Sequence, residues 1–208
     1  AAFGRYPVQR APDDVSQGVV EVTYADGSRG RALTCASCHA RSVQGALVMG
    51  LANQTIDLGW GPGRIDVAPA PGDEPLAIPD LRPIAWQTHL HRAGAITVEA
   101  APLATLAIRI ETLIVTSHGG VLRPPRAIAL ALARYLHSLA PPSREVETRG
   151  AFGRALFDAT CASCHRWPSL AGPIFDAATI GTDDRAARSW DRGTGGYRAP
   201  SLIGVAER

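Results

Sequence analysis

The sequence predicts a mainly α fold with two similar units in tandem, the second of them incomplete. Two stretches, Pro102–Thr116 and Pro125–Leu139, repeat apolar residues with the period of a helix. The pentapeptide Cys-Ala-Ser-Cys-His occurs at Cys35–His39 and again at Cys161–His165, and a Gly- and Pro-rich stretch follows both copies. A motif that recurs with the same flanks indicates a duplicated structural unit.

The residues around the first motif predict a strand, a short helix and a long loop. Apolar and polar residues alternate over Val19–Tyr24, which is typical of a half-exposed strand. Ser28–Leu33 predicts a short helix, capped by Ser28, that leads into the motif. Residues 40–100 contain many glycines and prolines and little periodicity. We expect this stretch to wrap around a bound group, since a structureless stretch of this length is unusual in an ordinary domain.

Two helices are expected to close the first unit. The first, Pro102–Thr116, places Leu106, Ile110, Leu113 and Ile114 on one face. The second is expected to end at the Pro-Pro pair that follows it. Its apolar face consists of Ile128, Leu132, Tyr135, Leu136 and Leu139.

The domain boundary is predicted in a polar, proline-containing linker at residues 140–149. The first domain then covers residues 1–142, and the second covers residues 143–208. The second domain begins with a predicted helix, Gly150–Ala159, and repeats the motif and the loop. It has no counterpart of the two closing helices, which is why we expect it to be incomplete.

The pentapeptide supplies every group that holds a c-type haem. Cysteines three residues apart on a helical turn share one face, so both reach the vinyl groups of one porphyrin, and the next histidine binds the iron. We therefore predict two covalently bound haem c groups. The attached cysteines are Cys35, Cys38, Cys161 and Cys164, and the iron ligands are His39 and His165. The carbonyl of Pro173 is a candidate to hold the His165 ring.

A zinc site is the alternative for a single Cys-x-x-Cys pair, because such a pair supplies half of many zinc sites. Zinc sites usually add a second pair, or two histidines, close in sequence. Here the two copies begin at residues 35 and 161, and a helix is predicted before each of them. The recurrence therefore favours haem over zinc.

Flanking residues give the sequence a resemblance to a known family. Gly195–Leu202 ends in Tyr-Arg-Ala-Pro-Ser-Leu, and Pro79–Arg82 has the shorter form Pro-Asp-Leu-Arg. These segments resemble the aromatic-x-x-Pro-Ser-Leu-Arg segment of the bacterial dihaem cytochrome c peroxidases and their methylamine-utilisation relatives. Ala133–Leu139 is similar to the last helix of class I cytochromes c. The resemblance implies two cytochrome c-like haem domains, the second without its closing helix.

The same resemblance implies a sixth ligand for the first iron. In that family an axial ligand follows the segment, in a Met-His-Asp-Gly motif. His91 stands twelve residues after Pro79, which is the family's offset, and Gly94 stands at the position of its glycine. Ala93 replaces the family's acid, and Ile203 replaces its arginine. His91 is thus the implied ligand.

Other residues remain open as ligands of the first iron. His89 lies two positions from His91, and Met49 is the sole methionine. We expect Met49 in the core. His137 lies in the second closing helix, where a surface or capping position is expected.

The sixth ligand of the second iron is expected beyond Arg208, because the family's offset from Pro200 falls there. The missing closing helix agrees with this, so we expect the polypeptide to continue past Arg208. Within the chain His118 is the alternative ligand, and a neighbouring subunit is another source.

Two classes of function fit these predictions. The first is electron transfer, for which both irons would be six-coordinate and low-spin. The second is peroxide reduction by an enzyme of the dihaem cytochrome c peroxidase type, which needs an open iron position and an acid–base group beside it. His91 would close the first iron, and no Glu/Gln/Arg constellation stands out, with Glu111 as a stand-in. Electron transfer is the preferred prediction, and whether the chain is an enzyme stays open.

Partners and compartment follow from haem attachment. Thioether attachment implies export, so we predict a periplasmic or other extracytoplasmic location. The predicted partner is a redox protein, either another cytochrome or a small electron carrier. The net charge of +2 does not favour nucleic acid, and no apolar run approaches the roughly 18–20 residues that span a bilayer.

Overall fold

A computed structural model of the chain describes residues 18–23, 26–53, 78–117, 123–139, 150–190 and 192–205. These residues fall into two compact units. The first unit contains the described residues up to Leu81, with the first motif, and the second contains those from Arg82 to Val205, with the second motif. The predicted boundary near residue 142 lies outside the described residues, so the two haem domains stay a prediction.

The described part of the first unit begins with an antiparallel hairpin. β1 (Val19–Thr23) pairs with β2 (Arg29–Leu33), and β1 confirms the predicted strand. The helix predicted at Ser28–Leu33 is wrong, because these residues turn and pair with β1. Ser28 is not a helix cap: its backbone N–H and its hydroxyl both donate to the carboxylate of Asp26, in the hairpin turn.

The first motif lies between this hairpin and a second one. α1 (Cys35–Cys38) is followed by β3 (Ala40–Val43) and β4 (Ala46–Met49), which pair antiparallel. Gln44 and Gly45 connect the two strands with φ values of 51° and 82°. Positive φ at both central residues is what a tight two-residue hairpin turn requires.

A helix pair forms the core of the second unit. α2 (Pro102–Ser117) and α3 (Arg126–Ser138) confirm both predicted helices, with ends shifted by one residue. Ahead of them lie a 3-10 helix (Arg82–Trp86) and a small hairpin, β5 (His89–Leu90) with β6 (Ile96–Thr97). The buried apolar cluster consists of Leu90, Val98, Leu106, Ile110, Ala129 and Ala133.

The buried face of α3 has alanines at its centre, while Leu132 and Leu136 of the predicted face pack against the same apolar cluster. Ala129 and Ala133 are fully buried, whereas Ile128 and Tyr135 are about half exposed. A small side chain at the contact lets the backbone of α3 lie close to its neighbour α2. The alanines therefore set the spacing of the helix pair.

The second motif lies between a helix and a fourth pair of strands, which are joined by a long connection. α4 (Gly150–Thr160) leads into the motif and confirms the predicted helix. Beyond the motif β7 (Ile174–Asp176) pairs with β8 (Gly196–Arg198). Between them α5 (Ala177–Ile180) begins at Asp176, whose carboxylate accepts two backbone N–H groups of the first turn. No helix in the described ranges is long and apolar enough to cross a membrane.

The predicted mainly α fold class is wrong. Of the described residues, 37% are helical and 19% are in strands, and the strands form four separate two-stranded antiparallel sheets. Three of these sheets lie in glycine- and proline-rich stretches that showed no periodicity, whereas β1 was predicted as a strand. The strands of those three sheets have two to four residues, which is too short for an alternating pattern to stand out in a sequence.

Candidate haem-attachment sites

Both motifs fold into the same short turn. In the first, the backbone N–H of His39 donates to the carbonyl of Cys35 at 2.9 Å, and in the second the N–H of His165 donates to the carbonyl of Cys161 at 2.9 Å. Each bond closes one helical turn, so the two cysteines of a motif lie one turn apart and the histidine follows directly. All four cysteine thiols are free, as thioether formation requires.

The first motif is held by residues on both sides of it in the chain. The carbonyl of Gly18 accepts three hydrogen bonds, from the N–H of Thr34 at 2.8 Å, from its hydroxyl at 2.9 Å and from the hydroxyl of Ser37 at 2.7 Å. The side-chain amide of Asn53 donates to the carbonyl of Ser37, and its backbone N–H donates to the carbonyl of Cys38, both at 2.8 Å. These bonds fix the turn that presents the cysteines.

A glycine packs against the backbone of each motif. A side chain at Gly18 would overlap the backbone of Ser37, and the φ of Gly18 is 73°, which favours glycine. A side chain at Gly172 would overlap the carbonyl of Cys164. Both contacts bring a neighbouring loop as close to the motif as backbone atoms allow.

The imidazole rings of both motif histidines are oriented by a backbone carbonyl. Nδ1 of His39 lies 3.2 Å from the carbonyl oxygen of Pro79. Nδ1 of His165 lies 3.0 Å from the carbonyl oxygen of Leu170. A carbonyl oxygen only accepts, so Nδ1 carries the ring proton in both cases, and Nε2 keeps the lone pair that can bind a metal.

The carbonyl that holds His165 is not the one expected from the sequence. Pro173 was the candidate, but its carbonyl accepts from the N–H of Ala199 at 3.4 Å. Leu170, five residues after the histidine, takes this role. The expected contact therefore exists, with a nearer residue as acceptor, because the chain turns back on itself at residues 166–171.

The two Pro-x-Leu segments, Pro79–Leu81 and Pro200–Leu202, each form a backbone hydrogen bond to the loop after a motif. In the first unit the N–H of Leu81 donates to the carbonyl of Gly50 at 2.8 Å, and in the second the N–H of Leu202 donates to the carbonyl of Leu170 at 3.2 Å. Each acceptor lies in the loop that follows a motif. The sequence similarity between these segments thus corresponds to a similar backbone contact.

Burial sets the protonation of the first motif. It lowers the pKa of His39 from 6.5 to about 4, against smaller opposing effects of the hydrogen bond to Pro79 and the charge of Asp80. The ring is therefore neutral at neutral pH, as a metal-binding imidazole must be. Burial also raises the pKa of Cys38 to about 11, with a smaller contribution from Cys35.

Large apolar side chains beside the second motif are uncovered. α4 buries none of its residues, and Phe152 is 80% exposed while Leu156 is 54% exposed. Trp167, two residues after the motif, is 56% exposed and packs edge-on against Phe157. An uncovered apolar surface of this kind marks a place where another apolar group binds. The donor set and this surface both fit a haem attached to Cys161–His165.

His91 lies in the second unit, in a turn with a φ of 75°. Nη1 of Arg192 lies 3.3 Å from Nε2 of His91. A guanidinium group only donates, so Nε2 accepts in this arrangement. For this nitrogen to coordinate an iron, its contact with Arg192 would have to break. The assignment of His91 to the first iron stays a prediction.

The other ligand candidates have different surroundings. Met49 is half-buried at the end of β4, opposite Ala40, which directly follows the first motif. Nδ1 of His89 lies 3.0 Å from the hydroxyl of Thr88. His118 lies outside the described residues.

His137 is half-buried, with a buried ring nitrogen that the sequence interpretation did not expect. It follows Ala133 by one turn of α3, on the face that packs in the core. Its Nε2 is buried and has no hydrogen-bond partner among the residues described, which is uncommon for a buried polar atom. The spacing from Ala129 and Ala133 was the available signal, whereas a surface or capping position had been expected.

No three His, Cys, Asp or Glu side chains of the described residues are grouped so as to hold a metal ion. The function therefore has to be inferred from the two motifs and their surroundings. No protein-family profile, curated protein or solved structure matches the chain.

Proposed function

We propose that this chain is a dihaem c-type cytochrome, located outside the cytoplasm, that transfers electrons between redox partner proteins. The observation that carries the proposal is the common arrangement of the two motif histidines. His39 and His165 each donate Nδ1–H to a backbone carbonyl and so offer Nε2 to an iron. Two sites with the same donor set and the same orienting bond favour two haems over an accidental recurrence.

The residues of each site have separate tasks. The cysteine pair would anchor the porphyrin, and the histidine would bind its iron. When bound, the haem supplies one-electron chemistry. The carbonyl of Pro79 or Leu170 fixes the plane of the imidazole ring, and the turn of the motif keeps both thiols on one side. A ligand held in this way moves little when an electron arrives, which favours rapid transfer.

Glu111, the acid–base group considered for peroxide reduction, is engaged elsewhere. Its carboxylate lies 3.1 Å from the guanidinium of Arg123 and 4.0 Å from that of Arg126, and its side chain is only 15% exposed. Peroxide reduction needs a group that takes up and returns a proton beside the iron. Glu111, on α2, instead forms ion pairs with Arg123 and with Arg126 at the start of α3, so electron transfer is the better supported function.

Haem attachment is tested by producing the protein in a host that exports it and attaches haem. A pyridine haemochrome assay should give two covalent haems per chain. The pair Cys35→Ser with Cys38→Ser should retain one haem, and so should Cys161→Ser with Cys164→Ser. Ser163→Ala removes an exposed hydroxyl that lies 3.8 Å from Sγ of Cys164 but supplies neither a thioether nor an iron ligand, and it should retain both haems. Protein without covalent haem after export would contradict the proposal.

The type of activity is tested separately on the dihaem protein. Stopped-flow mixing with a reduced small cytochrome should show fast oxidation of the donor by the haems of this protein, without peroxide. Peroxide-dependent oxidation of the donor should stay below about 1 s⁻¹, the low end for ordinary enzymes. Faster peroxide turnover would replace electron transfer with the peroxidase function.

A further inference from the structure

The second unit contains a buried guanidinium nitrogen without a partner. Nη1 of Arg198, in β8, is buried and donates a hydrogen bond to no atom of the described residues. Its Nε lies 3.5 Å from the carbonyl oxygen of His91, which is a long contact. No carboxylate of the described residues forms an ion pair with Arg198. Burial lowers the pKa of this group.

The position of this side chain is fixed by the turn that it faces. Three successive carbonyl groups of the turn accept from the segment that contains Arg198. The backbone N–H of Arg198 donates to the carbonyl of Arg92 at 3.1 Å, and the hydroxyl of Thr194 donates to that of Ala93 at 2.6 Å. The third is the carbonyl of His91, which faces Nε of Arg198. The first two bonds hold the backbone around Arg198 against the turn, and the long contact of Nε with His91 is the one that directs the guanidinium towards it.

Two further arginines lie at the same turn. Nη1 of Arg192 contacts Nε2 of His91 at 3.3 Å, and the guanidinium of Arg92 stacks over the ring of Tyr197, 4.9 Å from its centre. The charge of Arg92 also acts on the carboxylate of Asp183, whereas Nη1 of Arg198 has no partner among the described residues, and a buried unpaired charge is strongly unfavourable. The cluster becomes favourable when an anion accepts from the buried nitrogen, since charge-assisted bonds to guanidinium are strong.

We propose that the guanidinium of Arg198 binds a carboxylate group, with Arg92 and Arg192 adding to the positive field around it. A carboxylate matches the planar fork of a guanidinium with two parallel bonds. The occupant in the loaded protein is a propionate of the second haem. The identity of this occupant rests on the proposed function, whereas the carboxylate site itself does not.

The site adjoins the second motif, which is why a propionate is the chosen occupant. Arg198 precedes Ala199, whose carbonyl accepts from the N–H of Gly172 at 3.2 Å. Gly172 in turn packs directly on the carbonyl of Cys164. Along this chain of contacts, two residues separate the backbone of Arg198 from Cys164, the attachment point of a group that carries two carboxylates.

The test uses the haem-loaded full chain and three variants. Arg198→Gln removes the charge, Arg198→Lys keeps the charge but loses the two-point fork, and Arg188→Gln is the control. Arg188 is exposed and paired with Asp184. The measurements are the thermal midpoint of unfolding, with acetate or with chloride at equal ionic strength, and a potentiometric titration. The second haem is the redox component that disappears in the Cys161→Ser, Cys164→Ser variant.

If a propionate occupies the site, Arg198→Gln should lower the thermal midpoint of the protein. It should also lower the reduction potential of the second haem, and of that haem only, because a nearby cation disfavours the oxidised iron. Acetate then changes nothing in the unmodified protein. A free carboxylate in the site predicts that acetate raises the midpoint with saturation, and that Arg198→Gln abolishes this rise. Arg188→Gln should leave every value unchanged.

The proposal is overturned if Arg198→Gln leaves the midpoint unchanged or raises it, with no shift in potential and no effect of acetate. Removal of an unpaired buried charge would give that result. If Arg198→Gln does not fold, Arg198→Lys decides: a lower midpoint supports the fork, and an unchanged one contradicts it. Protein that lacks haem would refute the proposed function, and the acetate measurement would still decide the carboxylate site.

Discussion

Gly172 illustrates how one residue limits the geometry of a site. A methyl group at this position would overlap the carbonyl of Cys164 and press on Ala199. We therefore expect Gly172→Ala to displace the second motif, so that the haemochrome assay falls from two haems per chain towards one. The haem of the first motif should be unaffected.

Gly153→Ala is the matched control for Gly172→Ala. Gly153 lies in α4, on the other side of the same motif, and has open space where the methyl group would go. This substitution should retain both haems and stabilise the helix by up to about 1 kcal/mol. Two haems in Gly172→Ala would show that the loop yields more easily than its packing indicates.

The Cys38 thiol should react slowly before haem attachment, because burial raises its pKa to about 11. At pH 8 such a thiol is roughly 0.1% thiolate, compared with about a quarter for an ordinary cysteine. In the haem-free chain we expect iodoacetamide to alkylate Cys38 roughly 10²-fold more slowly than a cysteine peptide. Peptide mapping by mass spectrometry measures the rate, and unfolding in urea should remove the difference. A rate equal to that of the peptide would contradict the burial of this thiol.

At the scale of elements, the β1–β2 hairpin acts as a support for the first motif, through the three hydrogen bonds to Gly18. Gly18→Ala should disrupt these hydrogen bonds, because the new methyl group would overlap the backbone of Ser37, and should selectively reduce attachment of the first haem. Gly27→Ala is the control, because Gly27 lies in the turn of the same hairpin with a similar φ of 81° but has no atom nearby. Equal losses in both variants would trace the effect to backbone strain rather than to contact with the motif.

The α2–α3 pair should be sensitive to the size of the alanines between the helices. Ala133 is completely buried, so Ala133→Leu should force the helices apart and destabilise the second unit by about 1–3 kcal/mol. Ala131→Leu places the same side chain on the exposed face of the same helix and should change the stability little. Urea unfolding followed by circular dichroism distinguishes the two, and similar midpoints would contradict the packing described for α3.

Which elements could be predicted depended on their length. α2, α3 and α4 show apolar residues over three or more turns, so their periodicity was visible in the sequence. The hairpins β3–β4 and β5–β6 have strands of four and two residues, and their turns depend on φ values that no periodicity reveals. Ser28 had the features of a helix cap, but a hydroxyl that caps a helix also stabilises a turn.

At the scale of the whole molecule, local features of the sites were predictable and long-range ones were not. The Cys-x-x-Cys-His spacing gave the turn that both motifs adopt, and the likeness of the two Pro-x-Leu segments corresponds to a similar contact in each unit. The partner of a ring nitrogen is a backbone carbonyl, and any residue type can supply one. Pro173 was therefore expected where Leu170 is found, and the cluster of arginines around His91 had no signal in the linear sequence.

The two orienting carbonyls differ greatly in their distance along the chain, and this has a consequence for the order of maturation. Pro79 lies 40 residues from His39, whereas Leu170 lies only 5 residues from His165. Closing the longer loop costs about 2 kcal/mol more in chain entropy. The ring of His165 can therefore be oriented by residues close to it in sequence, whereas the ring of His39 is oriented only after a distant segment has folded against it. During synthesis and export the downstream site is thus the one that can assemble locally. Pulse-labelled chains should carry their earliest haem at Cys161–His165, and an earliest haem at Cys35–His39 would show that the attachment machinery, rather than chain closure, sets the sequence of events.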